Sequence, residues 1–262
     1  MPTISLIIAF YKNLNALKLI FKALENQSYK KFEVIIAEDD NNDETKIFLH
    51  ECKTSFLVKH VHQEIDNGFR KNEMLNAALK ISTGKKIVFI DGDCIPHQHF
   101  LFSYEKHLKE KTIFFGRRVL LNKKITEQIL ATQHFNIINF WKLLISKNKN
   151  KKYLFYLPFL KPKARQEGIW GCNWGIMKKD ILDVNGFDED YISAGIGEDV
   201  DMEWRLLENK NKLFSIKQTA IVYHLHHALN YNDDVVEKNI AKMKEKKKAG
   251  FVFCKNGITK II

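Results

Sequence analysis

Two aspartates separated by one glycine, Asp91-Gly92-Asp93, follow directly on an apolar run, Ile87-Val88-Phe89-Ile90. Such a run, without alternation, reads as a strand buried on both faces. The two acids then stand at its carboxyl end, where open α/β sheets place their ligands. Gly92 lets the backbone turn so that both carboxylates can face one point. Hard oxygen ligands on a short turn suit Mg2+ or Mn2+, and either ion suits a diphosphate.

Three other stretches carry residues of the same character. A second apolar run, Phe32 to Ala37, ends in Glu38-Asp39-Asp40-Asn41. Near the other end of the chain, Gly195-Ile196-Gly197 leads into Glu198-Asp199-Val200-Asp201. Acids in the first turn of a helix are favoured by its dipole, but that does not account for the glycine-loosened loop before them. Finally, Tyr223-His224-Leu225-His226-His227 closes a strand-like run. Imidazoles there, in a chain already offering paired aspartates, point to a metal ligand. Between these lies Gly168-Ile169-Trp170-Gly171-Cys172-Asn173-Trp174-Gly175. Its alternation and glycines predict a strand and turn lining a cleft, with Trp170, Gly171, Asn173 and Trp174 as substrate contacts and Trp174 suited to stack on a sugar ring.

The elements that must position these residues follow from periodicity. Strands are expected at Thr3–Phe10, Phe32–Ala37, Phe56–His62 and Ile87–Ile90, with helices at Leu14–Leu24, Asp43–His50 and Arg70–Ile81, the last closed by Gly84. A βαβ series of this kind predicts an α/β fold with a parallel sheet and right-handed crossovers. There is no Gly-x-Gly-x-x-Gly loop and no Gly-Lys-Ser/Thr loop, so phosphate must be held through a metal. A helix from Pro96 to His107, a strand at Thr112–Gly116, a helix over 127–145 and a strand over Leu213–Tyr223 complete the prediction. The organisation expected is one domain over 1–227 and a basic, loosely attached helical tail over 228–262. Within the domain, 1–116 binds the nucleotide, 117–167 is a basic aromatic insertion, and 168–227 is the acceptor and catalytic half.

The formal net charge is +11, with lysines crowded into 142–163 and 238–248, away from the acidic motifs. Nucleic acid, an anionic membrane or a polyphosphate substrate would each match that balance. Acids at three separate turns argue against a nucleic-acid-binding module. The insertion reads either as a lid over the acceptor or as a patch on a membrane surface. No apolar run reaches membrane-spanning length and no secretory signal is evident, so a cytoplasmic protein is expected. The four widely spaced cysteines indicate neither a zinc site nor a disulfide framework.

Taken in order, Ala9-Phe10-Tyr11, Glu38-Asp39-Asp40, Asp91-Gly92-Asp93, Trp170-Gly171-Cys172-Asn173-Trp174, Gly197-Glu198-Asp199 and His224 resemble the inverting family 2 glycosyltransferases, the group that includes hyaluronan and chondroitin polymerases. The carboxyl-terminal half also looks like the metal-binding end of animal galactosyltransferases. The resemblance covers about residues 3–227. It implies a GT-A fold, Rossmann-like, with a central, mostly parallel sheet flanked by helices, and transfer of a sugar from a UDP-sugar to a glycan or lipid-linked saccharide. By the same resemblance Asp39 recognises uracil, Ala9 and Tyr11 border the nucleotide, and Arg70 contacts base or phosphate. Asp91 and Gly92 lie near the ribose or donor sugar. Asp93 binds the metal with His224, His226 being its nearest rival. Asp199 is the catalytic base and Glu198 binds acceptor hydroxyls. Glu38-Asp39-Asp40-Asn41 departs from the family's usual Asp-Asp-Gly-Ser. No Gln-x-x-Arg-Trp signature of processive synthases is present, which favours addition of one or a few sugars. A bacterial surface polysaccharide or lipo-oligosaccharide is the setting implied, at the inner face of the plasma membrane. A nucleotidyltransferase, or an inactive sugar-nucleotide-binding relative, is the alternative.

Overall fold

The computed structural model describes residues 1–134, 140–193, 198–228 and 233–261 and, of Phe140, Glu198 and Asp233, the backbone. The amino-terminal half alternates as expected. Strand β1 (Ile4–Phe10) leads to α1 (Leu14–Glu25), β2 (Phe32–Glu38), α2 (Asp43–Glu51), β3 (Leu57–His62), α3 (Lys71–Ile81) and β4 (Lys86–Asp91). Side chains cap the first two helices. Asn13 Oδ1 accepts from the Ala16 amide at 3.1 Å and Asn42 Oδ1 from the Thr45 amide at 3.2 Å, each satisfying a donor the helix cannot. Gly84 does not cap α3, which ends at Ser82. It is needed instead because a Cβ there would meet the Ser5 amide nitrogen at 2.6 Å.

The four strands pair in parallel in the order β3-β2-β1-β4, with Ala9 in register with both Ala37 and Asp91. The sheet then becomes mixed. After β4 come β5 (Cys94–Pro96), α4 (Phe100–His107), β6 (Thr112–Phe115), β7 (Arg117–Leu120), α5 (Lys123–Thr132), α6 (Phe140–Ile145) and β8 (Lys163–Arg165). They are followed by β9 (Asn173–Met177), α7 (Lys178–Leu182), α8 (Glu198–Glu208), β10 (Lys212–Ser215), β11 (Ile221–His224) and α9 (Asp233–Lys248). The large sheet runs β3-β2-β1-β4-β9-β6-β10-β8, with β9 antiparallel to both its neighbours. A second, three-stranded sheet runs β5-β11-β7.

Three expectations for the second half are corrected. The helix after Pro96 begins only at Phe100, because Cys94–Pro96 extends to pair with β11. The strand foreseen over Leu213–Tyr223 is two strands in different sheets, broken by a turn in which the Thr219 and Ala220 amides both donate to the Ile216 carbonyl. The long helix over 127–145 is replaced by α5 and α6; Phe135 and Ile138, assigned to it, lie outside the described residues.

Apolar side chains fill both faces of the large sheet, one under α1 and the other under α3 and α8. Trp174 belongs to the second layer. It is 1% exposed and its ring stacks on Phe89 at 4.6 Å. The tail makes contacts with the domain. Asn185 Nδ2 donates to the Cys254 carbonyl at 2.7 Å and the Thr259 carbonyl at 2.8 Å, and Lys246 pairs with Asp188 and Asp190 at 2.5 Å. Trp174→Ala should lower the stability by about 3–5 kcal/mol, the usual cost of emptying a buried aromatic site, measured as the shift of the urea unfolding curve.

Candidate active site

The carboxyl ends of β2, β1 and β4 stand side by side, about 4.8 Å apart, so Asp39, Tyr11 and Asp91 emerge on one rim. The Asp39 amide donates to the Phe10 carbonyl at 2.8 Å and the Gly92 amide to the Ala9 carbonyl at 2.7 Å. Gly92 is where the chain must pass β1 closely, since a Cβ there would lie 3.0 Å from the Phe10 ring and 3.1 Å from the Ala9 oxygen.

This tight turn delivers Asp93 to the seam between the two sheets. There β5 pairs with β11, setting Cys94 opposite His224, and the Leu225 amide donates to the Asp93 carbonyl at 2.9 Å. Asp93 Oδ2 lies 3.3 Å from His224 Nε2 and 3.0 Å from His227 Nε2. The three ligand atoms all fall within 4.8 Å of one another. His227, not His226, is therefore the second imidazole; His226 is exposed, and its amide donates to Thr126 Oγ1. One carboxylate and two imidazoles make a mixed oxygen and nitrogen donor set, which fits Mn2+ better than Mg2+. Burial alone would raise the Asp93 pKa, but the His227 hydrogen bond and both imidazole charges hold it below the ordinary value. His227 is pushed up to about 9, chiefly by that hydrogen bond, while burial lowers His224.

Asp39 is buried in the floor of the rim. Its Oδ1 accepts from Gln63 Nε2 and from the Arg70 amide, each at 2.8 Å. Its Oδ2 has no hydrogen-bond donor among the described residues. Burial pushes this carboxyl up to about 6. Arg70 contributes its amide, whereas its guanidinium turns back to the Phe69 carbonyl at 2.8 Å. Tyr11 is exposed, with Lys12 Nζ 4.7 Å from its ring centre.

Asp199, in the first turn of α8, faces the same cleft. Its Oδ1 accepts from the Val200 amide at 2.9 Å and its Oδ2 from the Gly171 amide at 3.4 Å. Burial raises its pKa, and the nearby Lys71 charge works against that rise. The neighbouring acids have other tasks. Asp201 is buried against Arg205 at 2.7 Å and Tyr191 at 3.2 Å. Glu203 accepts from the Gly168 and Ile169 amides at 2.8 and 2.5 Å, tying the tryptophan loop to α8. The side chain of Glu198 and the loop 194–197 lie outside the described residues.

Two of the expected substrate contacts are corrected. Trp174 faces the core, and Asn173 is buried with its amide satisfied by the Arg117 and Ala220 carbonyls and the Tyr104 hydroxyl. The β9 pairing with β4 and β6 decides this by turning both side chains inward. Trp170, one turn earlier, is 41% exposed and carries the Arg117 guanidinium 4.2 Å from its ring centre. Gly171 faces Lys71 Nζ, which a Cβ would approach to 3.2 Å.

Two cations had no sequence signal. Lys71 Nζ lies 3.2 Å from Asp91 Oδ1 and also acts on Asp199, so it links the two acids. Arg118, on β7, is placed by pairing with Val222 of β11. Its charge acts on His224 and His227, those of Asp91 and Asp93 act on it, and its buried Nε has no hydrogen-bond partner among the described residues. A cation at the first position of a helix, or in a short strand, looks like any surface residue until the sheets are paired.

Residues 5–181 match the family model described as "Glycosyl transferase family 2". The chain belongs to that family. Residues 152–228 match a second model, described as the "N-terminal domain of galactosyltransferase". Among curated family members, the Escherichia coli UDP-Glc:alpha-D-GlcNAc-diphosphoundecaprenol beta-1,3-glucosyltransferase WfaP is 31% identical over 126 residues, covering 42% of this chain and 48% of that one. Chondroitin synthase of E. coli is 23% identical over 245 residues, covering 84% of this chain and 34% of that one. The chain thus spans about half or less of the length of these relatives. Its fold is shared with S. aureus TarS, at a TM-score of 0.65 and 15% identity over 94% of this chain and 39% of that one. It is shared too with the mannosyltransferase PcManGT of Pyrobaculum calidifontis, solved with GDP-Man and Mn2+, at 0.61 and 14% over 95% and 64%. These likenesses bear out the GT-A-like α/β fold with its central sheet between helices.

For this family 2 chain, Mn2+ titration followed by electron paramagnetic resonance should give one site. Asp93→Ala should abolish it, His227→Ala should weaken it at least about tenfold, and His226→Ala should leave it unchanged.

Proposed function

We propose that the chain is a metal-dependent, inverting glycosyltransferase that moves a sugar from a UDP-sugar to a hydroxyl of a glycan or lipid-linked saccharide. The observation that carries this reading is the clustering of Asp93, His224 and His227 on the rim that also presents Asp39, with Asp199 across the cleft. Asp39 Oδ2 is set to accept the uracil N3–H, and Tyr11 and Ala9 border the base. A divalent cation held by Asp93, His224 and His227 would supply the positive charge that a departing diphosphate needs. Arg118, whose buried Nε has no partner among the described residues, adds a fixed cation beside that position. Lys71 offsets the repulsion between Asp91 and Asp199, allowing two carboxylates to share one cleft.

Asp199 takes the proton of the acceptor hydroxyl. Its burial favours this, because a carboxylate of raised pKa is a stronger base. Attack on the side of the sugar opposite the diphosphate inverts the anomeric carbon. Trp170 is the aromatic face open to a sugar. Glu198 is retained as an acceptor contact. Among the described residues no helix is long and apolar enough to cross a membrane. Peripheral contact with an anionic membrane is supported by Trp141 and Phe159, 70% and 75% exposed amid the lysines of the insertion. The activity of WfaP, on a diphosphoundecaprenol-linked sugar, supports a lipid-linked acceptor in bacterial surface polysaccharide assembly.

Screening of UDP-sugars for transfer tests the reading, and Asp199→Asn should lower kcat by about 10²–10⁴-fold while UDP binding persists. Loss of UDP binding in the wild type would overturn it. UDP affinity should fall as pH drops through about 6, where Asp39 takes up a proton and loses its role as an ionised acceptor. In Asp39→Ala the affinity should be weaker and its fall over roughly pH 5–7 shallower, keeping only the part that the metal-site imidazoles and the nucleotide's own phosphate contribute, as calorimetry would show.

A further inference from the structure

A separate cavity lies farther along the same rim, at the far edge of the large sheet. Four lysines line it, Lys152, Lys161, Lys163 and Lys217, together with Tyr153 and Ser215, and no carboxylate is among its lining residues. Among the described residues none of the four lysines is paired with an acid. Lys152 and Lys217 instead sit 5.3 and 5.8 Å from the centre of the Tyr153 ring. Their convergence is built by the sheet. Strand β8 pairs antiparallel with β10, setting Lys163 opposite Ser215, and the turn after β10 brings in Lys217. Ser215 is 5% exposed, and its buried hydroxyl has no hydrogen-bond partner among the described residues. Lys152, Lys161 and Lys163 are exposed and can swing toward an anion in the hollow, and the buried Ser215 hydroxyl is a donor that such a ligand would complete.

The position of the cavity gives it a use. Through β9 and β6, strand β10 runs in the same direction as β4, so Ser215 leaves the sheet on the rim that carries Asp91. Three interstrand steps separate them, about 14 Å, and the chain continues from the cavity into β11 and His224.

We infer that this lysine cavity is a binding site for a phosphate-type anion carried by the acceptor, separate from the donor diphosphate site. Lysines suit that task as mobile point charges, without the planar fork that arginine would impose. The anion site stands on the cavity itself; its assignment to the acceptor rests on the glycosyltransferase reading above. The phosphate can be borne by a lipid at a membrane, which the exposed Phe159 beside the site favours, or by a soluble phosphorylated saccharide.

Inorganic pyrophosphate is the probe, titrated calorimetrically in metal-free buffer so that the Asp93 centre cannot recruit it. The full chain should bind it, more weakly at high salt, and Lys161→Ala/Lys217→Ala should lose at least about tenfold in affinity while keeping metal-dependent UDP binding. No pyrophosphate binding by the wild type would overturn the inference. So would equal affinity in the double variant, or binding lost instead in Arg118→Ala, which would place the anion at the donor site. Sedimentation with phosphatidylglycerol-containing and pure phosphatidylcholine vesicles separates the two sources. Binding to the anionic vesicles that pyrophosphate displaces and the double variant lacks identifies a lipid phosphate. Pyrophosphate binding without vesicle binding identifies a soluble one. Absence of UDP binding with pyrophosphate binding intact would count against the transferase reading alone.

Discussion

The turn from Asp91 to Cys94 joins two sheets, and the rest of the cleft is arranged around it. Asp91 ends β4 in the large sheet, and Cys94 begins β5 in the small one. Between them Gly92 crosses the end of β1 at contact distance, with its amide on the Ala9 carbonyl. Because the backbone is held on both sides, the two carboxylates cannot drift. One faces Lys71 and the other faces the imidazoles of β11 and the segment after it.

A cleft this rich in acids has to manage its own repulsion. Asp39, Asp91, Asp93 and Asp199 all open onto it, and burial by itself would drive several toward the neutral form. The chain answers differently at each place. Asp93 is held ionised by imidazoles, and Asp91 pairs with Lys71. Asp39 and Asp199 are left with raised pKa values, tempered by backbone amides. On the proposed reading the contrast between Asp93 and Asp199 follows chemical need, since a metal ligand must be ionised whereas a proton acceptor works better with a higher affinity for the proton. The overall basic charge sits elsewhere, in the lysine cavity and the insertion, so the cations that steer an anion do not quench the acids that act on it.

The loop of Gly168 to Cys172 shows how one segment can serve core and cleft together. Glu203 fastens its start and Asp199 its end to α8, and β9 then carries Asn173 and Trp174 inward. The only indole of this loop left at the surface is Trp170, held over Arg117. A shift of one residue in the β4–β9 register would move Trp174 to the opposite face of the sheet, away from Phe89.

Much of this was open to reading before any coordinates. Apolar runs ending in acids reveal buried strands whose carboxyl ends carry chemistry, because a strand buried on both faces leaves polar residues only at its tip. Thus β1, β2 and β4, the helices between them, and Asp39, Asp91, Asp93 and Asp199 were visible from residue order. Pairing between distant strands was not, since it depends on which segments meet and leaves no local period. That is why His227 rather than His226 faces Asp93, why Trp174 belongs to the core, why Leu213–Tyr223 divides between two sheets, and why Lys71, Arg118 and four scattered lysines acquire partners or a common hollow. Residue type and spacing determined the kind of chemistry this chain carries. Only the tertiary structure decided which side chains share a point in space, because strand register and sheet crossing act over separations that sequence patterns do not span.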